Sequence, residues 1–203
     1  MNGGPLVLAG VLAALSFGAE PAAAGCGGVK HVRPKVDRNP GRAPLAIGDS
    51  VLLGALGEVS GAGFEIDSRG CRQMTEGLGV MRARARAGTL PRFVVVALGA
   101  NLDIRARQIR AARRILGPRR VLGIVTPTRD GGDAARIRAA GRRLRRVLTL
   151  DWAAYSRGHG GWFGGDGLHL GRSGARGLAR LLGRGLRRLY PRRARFIEVR
   201  GRA

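Results

Sequence analysis

The stretch LAIGDSVLLG, residues 45–54, runs three apolar residues into Gly-Asp-Ser and returns at once to apolar residues. A buried strand that simply turned would need neither an acid nor a hydroxyl there. Asp49 and Ser50 are both good N-caps for the helix that the following residues predict. The competing reading makes Ser50 a nucleophile, placed at a strand end and at the positive end of the next helix. The rest of the chain has to decide between them.

Working outward, short apolar runs recur at 45–48, 63–67, 93–99, 121–126 and 147–151. Amphipathic stretches at about 51–59, 73–87, 103–116, 133–146 and 173–189 separate or follow them and read as helices. Strands that are apolar along most of their length, alternating with helices, predict a parallel sheet covered on both faces. The expected fold is therefore α/β: a three-layer α/β/α sandwich with a central parallel sheet of about five strands, in one domain over 44–190. Ligands in such sheets collect beyond the carboxyl ends of the strands. Asp49 and Ser50, Asp67 and Arg69, Asn101, Thr126, and Asp151 stand in turn at the five strand ends.

The chain of 203 residues carries 37 Lys and Arg against 13 Asp and Glu, a formal charge of +24. Only Lys30 and Lys35 are lysines, so the basic charge is almost wholly arginine. Such a surface attracts anionic polymers in a salt-dependent way. Specific nucleic-acid recognition is not expected, because there is no zinc-finger spacing and aromatics are only 4%. The arginines of the 133–146 helix read as a solvated face, with a substrate-binding patch as the alternative.

Residues 1–24 read as a signal peptide. Leu6 to Ala19 form an apolar core too short to span a bilayer comfortably, and Ala22 and Ala24 stand before a cut at Gly25. The expected location is thus extracytoplasmic, with no stable membrane span. Residues 25–43 read as an extended basic arm and 191–203 as a basic tail. Cys26 and Cys71 are the two cysteines. An oxidising compartment favours a bridge between them, over lipidation at Cys26 or free thiols. No grouping of ligand residues has metal-site spacing, and neither a metal nor an organic cofactor is expected.

Serine acyl transfer needs a nucleophile, a histidine, a carboxylate that holds its tautomer, and donors for the oxyanion. Of the three histidines, His31 lies in the arm and His159 in a Gly-rich stretch, whereas His169 lies in GDGLHLGRSG with Asp166 three residues ahead. That spacing lets one turn of chain bring the carboxylate to Nδ1 and leaves Nε2 for a nucleophile. A capping Asp beside a surface His would look the same in isolation. GDSVLLG, SRGCRQ, VVVALGAN, WF and DGLHLGRSG in this order resemble the SGNH/GDSL hydrolase family, and within it the SGNH domains of bacterial cell-surface O-acyltransferases. The resemblance covers 44–189 and implies a flavodoxin-like sheet and a secreted esterase or O-acyltransferase. Its substrate would be an acetyl or short-acyl ester of a carbohydrate or cell-wall glycan.

Carried over by position, the resemblance implies Ser50 as nucleophile, His169 as general base and then acid, and Asp166 as its orienting carboxylate. Asn101, the Ser50 N–H and an N–H from the second-strand turn, at Gly70 or Cys71, would form the oxyanion hole. Arg72 and Gln73 end that block. Asp49 reads as a support of the turn or as an N-cap, and Trp162 and Phe163 as pocket wall or as core. The alternative function is a non-catalytic basic module of the same fold that binds an anionic envelope polymer through its arginines.

Overall fold

The computed structural model describes residues 26–36, 42–129 and 132–190. The signal peptide expected at 1–24 and the tail at 191–203 lie outside the described residues. Strands β1 (Lys30–Val32), β2 (Leu45–Gly48), β3 (Glu65–Ser68), β4 (Phe93–Ala97), β5 (Val121–Val125) and β6 (Val147–Leu150) form one sheet in the order β1-β3-β2-β4-β5-β6. All neighbours are parallel except β1, which runs antiparallel to β3. The five predicted parallel strands are present, and the arm adds a sixth at the edge.

Side chains alternate across the sheet with the period of two that a pleated strand imposes. Val94 and Val96 join Leu45, Ile47, Leu122 and Ile124 in one core, whereas Phe93, Val95 and Ala97 join Ala46, Ile66 and Val125 in the other. Helices α3 (Met74–Arg86), α4 (Ala106–Leu116) and α5 (Asp133–Arg143) close the first core through Met81, Ile109, Leu116 and Ile137. The second is closed by α1 (Ser50–Leu53), α2 (Leu56–Gly61), α6 (Trp152–Tyr155) and α7 (Arg172–Leu189), through Leu52, Val59, Trp152, Leu178 and Leu182. Each fully buried aliphatic side chain stabilises the fold by about 1.5–3 kcal/mol.

The structure departs from the expected boundaries for local reasons. The helix expected at 51–59 is two, α1 and α2, separated at Gly54 and Ala55. The strand expected from 63 starts at Glu65, because Gly63 closes α2 with a φ of +91° that an extended strand cannot use. Helix α6 is four residues long and too short to leave a period in the sequence. In the arm, β1 pairs Lys30 with Ser68 and Val32 with Ile66, but only Val32 packs on the core. Three mostly exposed residues held by backbone pairing carry no hydrophobic pattern to read.

A disulfide joins Cys26 to Cys71 and so fastens the start of the arm to the turn after β3. Closing a 45-residue separation is worth about 4 kcal/mol in the chain-entropy account. Urea unfolding of the Cys26→Ser, Cys71→Ser variant is expected to lose about that much stability relative to the oxidised protein. A loss below about 1 kcal/mol would mean that the bridge restrains little of the unfolded chain.

Candidate active site

Asp49, not Ser50, caps the helix. Its Oδ1 accepts from the Val51 N–H at 3.0 Å, and its Oδ2 accepts from the Ala100 N–H, across the gap between β2 and β4, at 3.2 Å. A cap and a support are therefore one carboxylate. Gly48 makes the tight turn possible, since a Cβ there would lie 2.4 Å from Leu52. Burial raises the Asp49 pKa above its ordinary 3.8, against the lowering effect of the N–H donors.

With the cap supplied by Asp49, the Ser50 hydroxyl is directed elsewhere: its Oγ lies 3.0 Å from His169 Nε2. The other ring nitrogen, Nδ1, is hydrogen-bonded to Asp166 Oδ2. Asp166 Oδ1 accepts the N–H groups of Leu168 and His169, both at 3.0 Å, so one carboxylate holds both the loop backbone and the ring. The bond to His169 and then the two N–H groups hold the Asp166 pKa well below the usual carboxylate range. The side chains of His169 and Asp166 are 51% and 49% exposed, so solvent and a bulky substrate can both reach the relay.

The loop carrying this pair is closed at its base by a Phe163–Leu170 bridge and by Gly171 N–H donating to Trp162 O at 2.9 Å. Trp162 sits in a notch on α7, where a Cβ on Gly177 would fall 2.6 Å from its ring. It stacks on Trp152 at 5.6 Å and under His159 at 4.0 Å, and Phe163 meets Trp152 edge-on at 6.0 Å. Trp162 and Phe163 thus belong to an aromatic platform beneath the loop. A cleft of about 30 Å³ is lined by Asp49, Val51, Ala100, Trp152 and Leu168 among others. It shares Thr128 and Leu168 with an open groove of about 240 Å³ that continues past Arg129, Asp166 and Gly167.

The remaining strand-end residues divide. Asn101 is exposed, with its Nδ2 donating to the Arg72 carbonyl at 3.5 Å, and the Ala100 carbonyl before it accepts from Arg129 Nη1 at 3.1 Å. Gly70 is buried against the arm, where a Cβ would lie 2.6 Å from the Cys26 carbonyl; Cys71 beside it has a φ of +55°. Asp67 and Arg72 form a buried ion pair at 2.7 Å. Thr126 and Asp151 instead bond one another at 3.0 Å, and Arg138 Nε donates to Asp151 at 2.7 Å, so this pair and one arginine of the 133–146 helix are scaffold. The sequence reading missed Arg72 as a buried fork and Arg129 as a loop tether, because an arginine among so many carries no signal of burial.

No protein-family model matches the chain. By sequence it is 30% identical over 141 residues to a protein named "Putative O-acetyltransferase" from Staphylococcus aureus strain COL, an alignment covering 66% of this chain and 23% of the relative. The chain thus spans about a quarter of the length of the curated relatives it matches. By structure it is similar to the C-terminal catalytic domain of Streptococcus pneumoniae peptidoglycan O-acetyltransferase A, in a form with a methylsulfonyl adduct. The TM-score is 0.66 at 21% identity, over 73% of this chain and 94% of that one. A member of the lipolytic G-D-S-L family from Veillonella parvula matches with a TM-score of 0.55 at 14% identity, over 68% and 94%. A family 3 carbohydrate esterase from Talaromyces cellulolyticus matches at 0.52 and 16%, over 74% and 99%.

The raised Asp49 pKa fixes a sign. A carboxyl that binds its proton more tightly when folded opposes folding increasingly as pH rises from 3.8 through its folded pKa. The stability of the wild type relative to Asp49→Asn is therefore expected to fall as pH rises across that window and to level off above it, as read by urea unfolding at each pH. Asparagine cannot accept both N–H groups, so at every pH the variant also loses about 1–3 kcal/mol.

Proposed function

We propose, from the SGNH-hydrolase fold that this chain adopts, that it is an extracytoplasmic serine esterase or O-acyltransferase working through an acyl-enzyme on Ser50. The observation that carries this reading is the Ser50–His169–Asp166 relay, with Oγ 3.0 Å from Nε2 and Nδ1 bonded to a carboxylate. His169 takes the Ser50 proton as Oγ attacks the ester carbonyl. Asp166 keeps the proton on Nδ1 and stabilises the imidazolium. The Ser50 N–H, an N–H at Gly70 or Cys71 and the Asn101 amide receive the oxyanion. His169 then returns the proton to the leaving alkoxide, and water or a second hydroxyl deacylates the serine by the same steps reversed.

The substrate class is an acetyl or short-acyl ester of a carbohydrate or cell-wall glycan. The cleft lined by Val51, Ala100 and Leu168, the chain neighbours of Ser50, Asn101 and His169, supports a small acyl group beside the relay. The half-exposed relay and the open groove leave room for a glycan on either side of the ester. The names of the similar proteins, an O-acetyltransferase of peptidoglycan and a carbohydrate esterase, support the same class. Among the described residues no helix is long and apolar enough to cross a membrane.

One observation favours an added grip on an anionic polymer. Arg172, Arg176, Arg180 and Arg184 lie exposed along α7, which starts three residues after His169, and no acidic side chain among the described residues pairs with them. A non-catalytic module would use only this feature. Polymer binding that weakens steeply from low to moderate salt would fit it, and an absence of Ser50 labelling would favour it over the enzyme.

Ser50→Ala and His169→Ala are each expected to cut aryl acetate hydrolysis by at least about 10³-fold. Intact mass after a fluorophosphonate probe should place one adduct on Ser50 in the wild type and none in Ser50→Ala. Wild-type turnover in either variant would refute the relay. Against aryl esters of increasing acyl length, kcat/KM should drop by at least about tenfold between acetate and butyrate, as the longer chain meets the Val51, Trp152 and Leu168 side chains that line the cleft.

A further inference from the structure

Among the described residues Arg72 is the one arginine whose side chain is almost wholly enclosed, at 4% exposure beside a similarly enclosed Asp67 at 6%. Its Nη1 donates to the Asp67 carbonyl at 2.6 Å and lies 3.5 Å from the Gly48 carbonyl, while Nη2 is 2.7 Å from Asp67 Oδ1. From the arm, His31 Nδ1 approaches the other Asp67 oxygen at 3.2 Å. The Arg72 main-chain carbonyl accepts the Asn101 side-chain amide at 3.5 Å. One residue therefore touches the end of β2 just before Asp49 and Ser50, the end of β3 that leads into Gly70 and Cys71, and Asn101.

We infer that Arg72 is the positioning residue of the oxyanion site, holding the three donor-bearing segments in register. The inference rests on the serine-esterase reading above. Asn101 has two amide hydrogens, so one can stay on the Arg72 carbonyl while the other faces the oxyanion. That shared bond fixes which way the amide points. The guanidinium reaches two carbonyls and a carboxylate from one planar group, which a lysine ammonium cannot do at the same positions. Burying an ion pair is a poor route to stability compared with packed apolar side chains. Its use here, in a chain with two full apolar cores, fits a requirement for placement. Hydrogen-bond donors at a reacting carbonyl must be placed to a fraction of an ångström, and an error of about 1 Å costs on the order of 100-fold in rate.

Arg72→Lys tests this through aryl acetate kinetics, fluorophosphonate labelling and thermal unfolding. The expected result is a folded protein whose kcat falls by on the order of 100-fold, whose KM changes less than about threefold, and whose Ser50 labelling slows in parallel with kcat. In an Asn101→Ala background the same substitution should cost less than in the wild type, because one of the three donors that Arg72 places is already removed. Asp67→Asn, which keeps the guanidinium and loosens its anchor, should give a milder loss of kcat with KM again unchanged. It also serves if Arg72→Lys does not fold.

A kcat within threefold of wild type in the folded variants overturns the inference. So does a loss that vanishes when rates are normalised to the folded fraction, or one fully additive with Asn101→Ala. A wild-type protein that neither hydrolyses the ester nor labels at Ser50 refutes the serine-esterase reading itself. An active wild type with undiminished variants refutes only the role of Arg72.

Discussion

The Asp49 carboxylate is the interaction on which the site depends. A four-residue strand ends at Gly48, and the chain must turn sharply enough for Leu52 to pack directly over it. That turn exposes an N–H at Val51, and the neighbouring strand leaves another at Ala100. A single buried side chain satisfies both. The cost is a desolvated charge, visible as the raised pKa. The gain is that Ser50 need not cap its own helix, and its hydroxyl is released towards the imidazole.

The loop carrying His169 solves a similar problem with opposite electrostatics. Asp166 is half exposed, and three hydrogen bonds outweigh its desolvation and hold it ionised. Two carboxylates thus serve one serine from contrasting surroundings, one enclosed and structural, one open and aligned with the ring. In the proposed reaction hydrolysis and transfer share every step up to the acyl-enzyme, and the open groove past Asp166 and Arg129 is where an acceptor would approach the half-exposed relay.

The parallel sheet was legible in the sequence because buried strands such as FVVVA and VLGIV are apolar throughout and alternate with arginine-rich amphipathic stretches. Ser50, Asp166 and His169 were legible because their residue types are unusual at those positions and their order matches a known pattern. Other features were not. The edge strand β1 is fixed by backbone pairing and a disulfide, so its three residues have no side-chain signature. Thr126 and Asp151 looked like site residues at strand ends but satisfy one another. Arg72 was hidden by its own abundance, since whether an arginine is buried depends on which carbonyls converge on it in space.

Trp152 and Trp162 are the only two tryptophans in the sequence, and they lie in van der Waals stacking beneath the loop that carries His169. All indole emission from this protein therefore originates under one side of the Ser50–His169–Asp166 cluster, with the imidazole of His159 resting on the outer ring. The molecule carries its own optical gauge: a shift in the seating of that loop changes the whole fluorescence signal, whereas rearrangements around α3 or α4, across the sheet, leave it undisturbed.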